Sequence, residues 1–353
     1  MNRELRQLLV EGGYEAAARS DFRWHRVIVH RNIASVPPVR PVPGAALWNH
    51  GFNLILLDEH GTATHYAKCR PAAVPEMMHE ATVLTALAGD PALADIIPRT
   101  RTVSSATVRV QVSQFIGDHS WDSDAIIGDV NAWTHAVRGI LEVVGRLADR
   151  AAVLLPGRVD RRTIRPVDAV GPLLEALVPA GMPNEWIQRL LAAAESAPAV
   201  PTSPQHGDLW PANLIARRDG GWWVLDFEMY GRIRVPLHDA FHLVRTSALE
   251  DGGGTWLERL AVGDAWARAQ QAIIREAAAR GHVPDGAVGA LAIYYFAEMT
   301  ERLHRSGTPR SFWEPYLAEL RDAVQRLTTM GTLDDLLLGE QNGSANSARV
   351  QRS

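Results

Sequence analysis

Between residues 204 and 242 the chain reads PQHGDLWPANLIARRDGGWWVLDFEMYGRIRVPLHDAFH, and three of its oxygen-bearing side chains, Asp208, Asn213 and Asp226, have a spacing that suits chemistry. Asn213 opens one short apolar run, Leu214-Ile215-Ala216-Arg217, and Asp226 closes another, Trp222-Trp223-Val224-Leu225. The residues between the runs, Arg218-Asp219-Gly220-Gly221, have the composition of a hairpin turn. Pairing Arg217 with Trp222 across a four-residue loop predicts Asn213 opposite Asp226 at the open end, with both oxygens aimed at one point. Two hard oxygen donors on neighbouring strand ends suit Mg²⁺ and a phosphate chain, and Asp208 is left over as a base.

A cation to match these anions is predicted upstream. Residues 53–57 and 62–69 read as strands joined by the turn residues 58–61, and Thr64, Tyr66 and Lys68 share one face of the second strand. Pro75 opens a predicted helix over 76–88 whose apolar stripe is Met77, Ala81, Leu84, Leu87 and Ala88. Glu80 falls between Leu84 and Leu87, inside that stripe, and a carboxylate aimed at a core demands a cation. Lys68 is the nearest preceding candidate, with Glu76 as the substitute partner one turn earlier; a solvated Lys68 is the competing reading.

The order His206-Gly207-Asp208, then Asn213, then Asp226-Phe227-Glu228 resembles the catalytic centre of the aminoglycoside phosphotransferase and choline kinase family, relatives of the protein kinases. The resemblance implies an α+β, protein-kinase-like two-lobe fold: a small N-terminal lobe with an antiparallel sheet and one helix, then a larger, mainly helical lobe. It implies Asp208 as the catalytic base, Asn213 and Asp226 as Mg²⁺ ligands, and Lys68 with Glu80 holding the α- and β-phosphates of ATP or GTP. It also implies a hinge at Gln114-Phe115-Ile116-Gly117, with Gln114 and Ile116 offering backbone groups to adenine; from the residues alone this is equally a strand ending in a turn. Asp239 matches the family's structural aspartate, which binds catalytic-loop backbone, and His206 the loop's packing histidine. Two readings of Glu228 stand level, metal support or a bond to loop backbone. The glycine-rich phosphate loop is weakly matched by residues 43–51.

Two features separate a small-molecule kinase from a protein kinase. Gly207 stands where protein kinases carry a phosphate-binding arginine, and the twelve residues between Asp226 and Asp239 are too few for a phosphorylatable activation loop. The acceptor is therefore expected to be a small molecule such as a sugar, an aminoglycoside or a related metabolite. Arg232 and Arg234, with Arg158, Arg161, Arg162 and Arg165, leave an uncharged or anionic acceptor open. A competing class is a zinc metallohydrolase, because His238 and His242 stand four residues apart on a predicted helix. A third is a nucleotide-binding pseudokinase module, although lysine, base and metal ligands are all retained.

The rest of the chain bounds these readings. Its 353 residues are 46% hydrophobic, enough for real cores, and a formal net charge of −4 offers no basic field for nucleic acid or an anionic membrane. A single cysteine, Cys69, and a charged first segment without an apolar core lead to the expectation of a cytoplasmic protein. Further strands are predicted over 26–30 and 107–113, and helices over 133–151, 186–194, 256–280, 287–305 and 312–329. The expected division is 1–116 for the nucleotide-binding lobe and 117–338 for the catalytic and acceptor-binding lobe. Residues 339–353 form a polar tail expected to be disordered.

Overall fold

The computed structural model describes residues 52–57, 63–71, 75–104, 108–114, 116, 126, 128–155, 162–248 and 254–339. The predicted strand at 26–30, the phosphate-loop candidate at 43–51 and the tail at 340–353 lie outside them.

The chain forms β1 (Phe52–Leu57), β2 (Ala63–Pro71), α1 (Pro75–Leu87), β3 (Thr100–Ser104), β4 (Val108–Gln114) and α2 (Val130–Leu154). These are followed by β5 (Thr163–Ile164), α3 (Pro166–Ala176), α4 (Asn184–Ser196), β6 (Val200–Pro201), β7 (Leu214–Ala216) and β8 (Trp222–Val224). Helices complete it: α5 (His238–Ser247), α6 (Trp256–Val262), α7 (Ala265–Arg280), α8 (Val288–Arg305), α9 (Arg310–Met330) and α10 (Asp334–Leu338). The fold is α+β, a small antiparallel sheet followed by a mainly helical remainder.

Residues cluster into two compact units, and both are discontinuous in sequence. The first contains residues 1–122, 142–159 and 211–232, the second 123–141, 160–210 and 233–353. The 211–232 segment clusters with the N-terminal residues, whose Lys68 and Glu80 bind its acidic and backbone groups.

In the first unit the sheet runs β1-β2-β4-β3, all antiparallel, with Lys68 paired to Asn53 on one side and Gln111 on the other. β3 was not anticipated from the sequence. On α1 the buried positions are Glu80, Val83, Leu84 and Leu87, the i, i+3, i+4, i+7 set of one helical face. Glu80 thus lies within the apolar face, as its place in the stripe predicted.

The β7-β8 hairpin departs from the predicted register by one residue. Ala216 pairs with Trp222, and the Arg217 carbonyl and N–H bond Gly220 N–H and Gly221 carbonyl, so the loop has three residues and not four. The cause is Gly220, whose φ of 87° closes a three-residue loop that a side chain would strain. Asn213 consequently faces Leu225, whose N–H donates to the Asn213 carbonyl at 2.9 Å.

In the second unit α8 is buried along most of its length, with Leu291, Tyr295 and Phe296 at its centre. The predicted helix over 256–280 is two helices. Gly263 ends α6 with φ 69°, and the Asp264 side chain accepts the Ala267 N–H at 2.8 Å to start α7. Apolar periodicity runs through the break, which hid it. Among the described residues, no helix is long and apolar enough to cross a membrane.

Candidate active site

The first unit gathers one lysine and three carboxylates. Lys68 reaches from β2 to Glu80 Oε2 at 3.0 Å and to Asp226 Oδ1 at 3.1 Å, and it also pairs with Glu228. Glu80 is 1% exposed, and its second oxygen, Oε1, accepts the Phe227 N–H at 3.0 Å. One carboxylate of α1 therefore fixes both the lysine and the backbone beside Asp226. The neighbouring His79 Nε2 lies 2.7 Å from the Tyr230 carbonyl, a second tie between α1 and the segment after β8.

Asp226 has φ 61°, a left-handed conformation that costs a non-glycine residue energy. This takes it out of the β8 pleat, so strand alternation no longer decides where its side chain points. Asn213 is buried at the entrance to β7, and the register puts it at the same open end of the hairpin, opposite the residue preceding Asp226.

Charge explains the electrostatics of the cluster. Burial alone would lower the Lys68 pKa, but Asp226, Glu80 and Glu228 together hold it above the ordinary lysine range. Glu228 is raised by burial and by its like-charged neighbours Asp226 and Glu80, against the pull of Lys68. Glu80, Asp226 and Glu228 place ligand oxygens within 4.8 Å of one another, the only such group of His, Cys, Asp or Glu among the described residues. Three carboxylates against one ammonium leave two negative charges when all are ionised. This hard-oxygen donor set suits Mg²⁺, which takes one or two carboxylates and fills its remaining positions with phosphate and water.

The second unit holds the loop that carries Asp208. Asp239, 2% exposed at the start of α5, accepts the N–H groups of His206 at 2.6 Å and Gly207 at 2.8 Å. Its own N–H donates to Gln205 Oε1 at 3.2 Å. Gly207 turns the chain with φ 81°, and Asp208 follows with its side chain 39% exposed. Asp239 thus fixes loop backbone, the structural role its sequence position implied, and His206 is wholly buried beneath it.

The zinc reading is corrected by the same helices. His238 Nε2 lies 3.1 Å from Glu298 Oε2, and His242 Nδ1 lies 3.1 Å from Tyr295 Oη, so both rings are held by α8. Neither belongs to a group of three ligands close enough for a metal among the described residues. What the sequence reading missed is the neighbour of His242: its Nε2 stands 3.9 Å from Asp208 Oδ1. The i, i+4 histidine spacing signalled a shared face but not the tyrosine and carboxylates that would meet it.

Gln114 ends β4 with its side chain exposed, and its N–H is already spent on the Arg99 carbonyl at 2.9 Å. Ile116 is half-buried, while Phe115 and Gly117 lie outside the described residues. Arg162, Arg165 and Arg232 are exposed and Arg234 is half-buried; Arg158 and Arg161 are not among the described residues.

An antiparallel sheet with a buried lysine–glutamate pair, followed by helices, is the protein-kinase-like fold. The sequence profile of the phosphotransferase enzyme family (APH) matches residues 56–274, more than half of the chain, and the chain belongs to that family. It is an enzyme, a phosphotransferase. Solved structures with a similar fold include the GDP complex of wild-type aminoglycoside 2'-phosphotransferase-IIIa, at 12% identity and a TM-score of 0.52, covering 92% of this chain and 99% of that one. Another is choline kinase from Cryptosporidium parvum Iowa II, at 10% identity and a TM-score of 0.51, covering 81% and 90%. No curated protein matches the chain.

Proposed function

We propose that this enzyme transfers the γ-phosphoryl group of ATP or GTP to a hydroxyl of a sugar, an aminoglycoside or a related small metabolite. The observation that carries the reading is Lys68, buried, paired with Glu80 and facing Asp226 and Glu228 in one cluster. An ammonium pinned by a buried carboxylate is a preformed seat for the α- and β-phosphates, and the acidic pair beyond it supplies the remaining oxygen donors. The 12%-identical aminoglycoside phosphotransferase is a GDP complex, which supports a nucleotide as the phosphoryl donor.

Asn213 and Asp226 would hold Mg²⁺, with Glu228 beside them. When bound, the ion would neutralise the phosphate oxygens and favour the charge that develops as the phosphoryl group leaves. Lys68 orients the phosphates, and Glu80 keeps Lys68 and the Phe227 backbone in place. Gln114 and Ile116 would offer backbone groups to adenine, and from Gln114 that group would be the carbonyl, since its N–H is engaged within the protein.

Asp208 orients the acceptor hydroxyl and takes its proton as the oxygen attacks the γ-phosphorus in line. The bond from that phosphorus to the bridging oxygen breaks, and nucleoside diphosphate leaves. Asp239 holds the loop that presents this carboxylate.

The test pairs calorimetric Mg·ATP binding with turnover in a screen of ATP and GTP consumption against sugars, aminoglycosides and choline. Asp226→Asn should weaken Mg²⁺-dependent nucleotide binding. Asp208→Asn should keep that binding while turnover falls by about 10²–10⁴, the range for a positioned acid–base group. Parent-rate transfer by the Asp208→Asn protein would overturn the mechanism.

A further inference from the structure

We propose that His242 is a positioning residue for Asp208: its imidazole, held from behind by Tyr295, turns an N–H toward the base carboxylate and sets its orientation. The inference rests on reading Asp208 as the base.

The geometry comes from three elements of the second unit. His242 lies on α5, one turn beyond Asp239, and is 4% exposed. Its Nε2 is 3.9 Å from Asp208 Oδ1 and its Nδ1 is 3.1 Å from Tyr295 Oη on α8. The first distance is too long for a hydrogen bond without ligands, and contacts of this kind tighten when substrate draws the catalytic carboxylate into place. The second distance is a full hydrogen bond, so the ring is already held.

The neighbours select the state of the ring. A lone pair on Nε2 would repel the Asp208 carboxylate, so the proton belongs on Nε2. That makes Nδ1 the acceptor and Tyr295 the donor, and the Tyr316 hydroxyl, which also bonds that of Tyr295, then donates to Tyr295. Burial, His238 on the same helix, Arg302 on α8, Arg245 on α5 and His206 on the loop push the His242 pKa well below the ordinary histidine value. Burial also keeps the Tyr295 hydroxyl protonated, its pKa well above the ordinary tyrosine value. A neutral N–H orients a carboxylate without quenching its basicity as an imidazolium would.

Tyr295 is itself braced. Its ring packs edge-on against Tyr316 at 6.0 Å, and Arg245 lies over the Tyr316 ring at 4.1 Å while pairing with Glu319 at 3.5 Å. A histidine placed only to fill the core has no need of a tyrosine donor on one nitrogen and a half-exposed carboxylate beside the other.

The experiment uses the full chain labelled with ¹⁵N-histidine, with the His242 ring nitrogens assigned by comparison with His242→Gln. The expected result is a neutral Nε2–H tautomer from about pH 6 to pH 8, the window in which an ordinary histidine titrates. The Nε2 resonance should move in Asp208→Asn. An Nδ1–H tautomer, or ring signals indifferent to Asp208→Asn, overturns the proposal.

Mg·ATP hydrolysis, with water as the acceptor, supplies the second readout. His242→Leu should lower turnover about 10–100-fold, the equivalent of one hydrogen bond to a charged group, with Mg·ATP affinity unchanged. Its acid limb should move to higher pH, because the lost N–H favoured the ionised carboxylate. His242→Gln, whose amide N–H stands near the position of Nε2, should recover most of the rate and the acid limb. If Asp208→Asn loses turnover but His242→Leu keeps both rate and acid limb, only this inference fails; if Asp208→Asn keeps turnover, the reading of Asp208 as base fails with it. Should His242→Leu not fold, the tautomer and the His242→Gln profile still decide.

Discussion

Glu80 binds Lys68 through one oxygen at 3.0 Å and the Phe227 N–H through the other at 3.0 Å, from a position only 1% exposed. A single buried carboxylate therefore couples the strand lysine to the backbone next to Asp226. In Glu80→Gln the amide oxygen can still accept the Phe227 N–H, but the amide nitrogen then faces an ammonium, donor against donor. We expect a folded protein less stable by about 1.5–3 kcal/mol, the contribution of a hydrogen bond between charged groups. Mg·ATP affinity should fall with it. Denaturant titration beside calorimetry checks both, and unchanged nucleotide affinity would separate Glu80 from phosphate binding.

Lys68→Ala removes the cation that Glu80, Asp226 and Glu228 share, so its cost should exceed that of Glu80→Gln. Breaking a buried pair from one side costs about 3–5 kcal/mol, and the partial exposure of Asp226 and Glu228 places the expected loss toward the lower end. Added Mg²⁺ should restore part of that stability by neutralising the carboxylates. A variant with the parent's unfolding midpoint, with or without Mg²⁺, would show that the cluster is solvated.

The helix period put Glu80 between Leu84 and Leu87, inside an apolar stripe, and in the fold Glu80 is buried with them, while Val83, outside that stripe, is buried too. Asp239 was legible by resemblance, since its role depends on backbone a fixed distance away. The hairpin register was not legible, since the stretch Arg218-Asp219-Gly220-Gly221 fits loops of three or four residues. Only the φ of 87° at Gly220 decides between them. The pairing of Glu228 with Lys68 and the approach of His242 to Asp208 depend on contacts between residues far apart in sequence, on which local pattern is silent.

Gly220 gives a test of that register free of packing effects, because no atom lies within 4 Å of where a Cβ would stand. Gly220→Ala should cost about 1–2 kcal/mol from backbone strain alone. Gly220→Asn, which tolerates the left-handed region, should cost less. Equal stability of all three proteins in urea titrations would mean that the loop does not need a left-handed residue there.

Asp239 accepts two N–H groups of the loop that ends in Asp208. In Asp239→Asn one oxygen becomes an NH₂ facing a backbone donor, so one bond is lost and a buried N–H is left without an acceptor. We expect about 1–3 kcal/mol of destabilisation. Turnover should fall while Mg·ATP affinity holds, because the nucleotide cluster is built from other residues. A loss of affinity equal to the loss of turnover would contradict that separation.

His238 supplies a prediction about pH. Its Nε2 meets Glu298 Oε2 at 3.1 Å, and its Nδ1 lies 3.8 Å from Asp239 Oδ1. Burial alone would lower its pKa, but Asp239 and Glu298 outweigh burial and hold it above the ordinary histidine value. A histidine whose folded pKa is raised binds its proton more tightly when folded, so its stabilisation is fully present below the unfolded pKa of about 6.5 and is lost as pH rises through the folded value. His238→Gln can still bond Glu298 but cannot titrate. The stability difference between parent and variant should therefore be largest near pH 6 and shrink toward pH 8, and subtracting the two cancels groups common to both. Urea titrations at the two pH values measure it. A difference that stays constant or widens with pH would mean that His238 is neutral in the folded protein, and Glu298 would then owe its ionisation chiefly to Arg302, whose Nε lies 3.1 Å away.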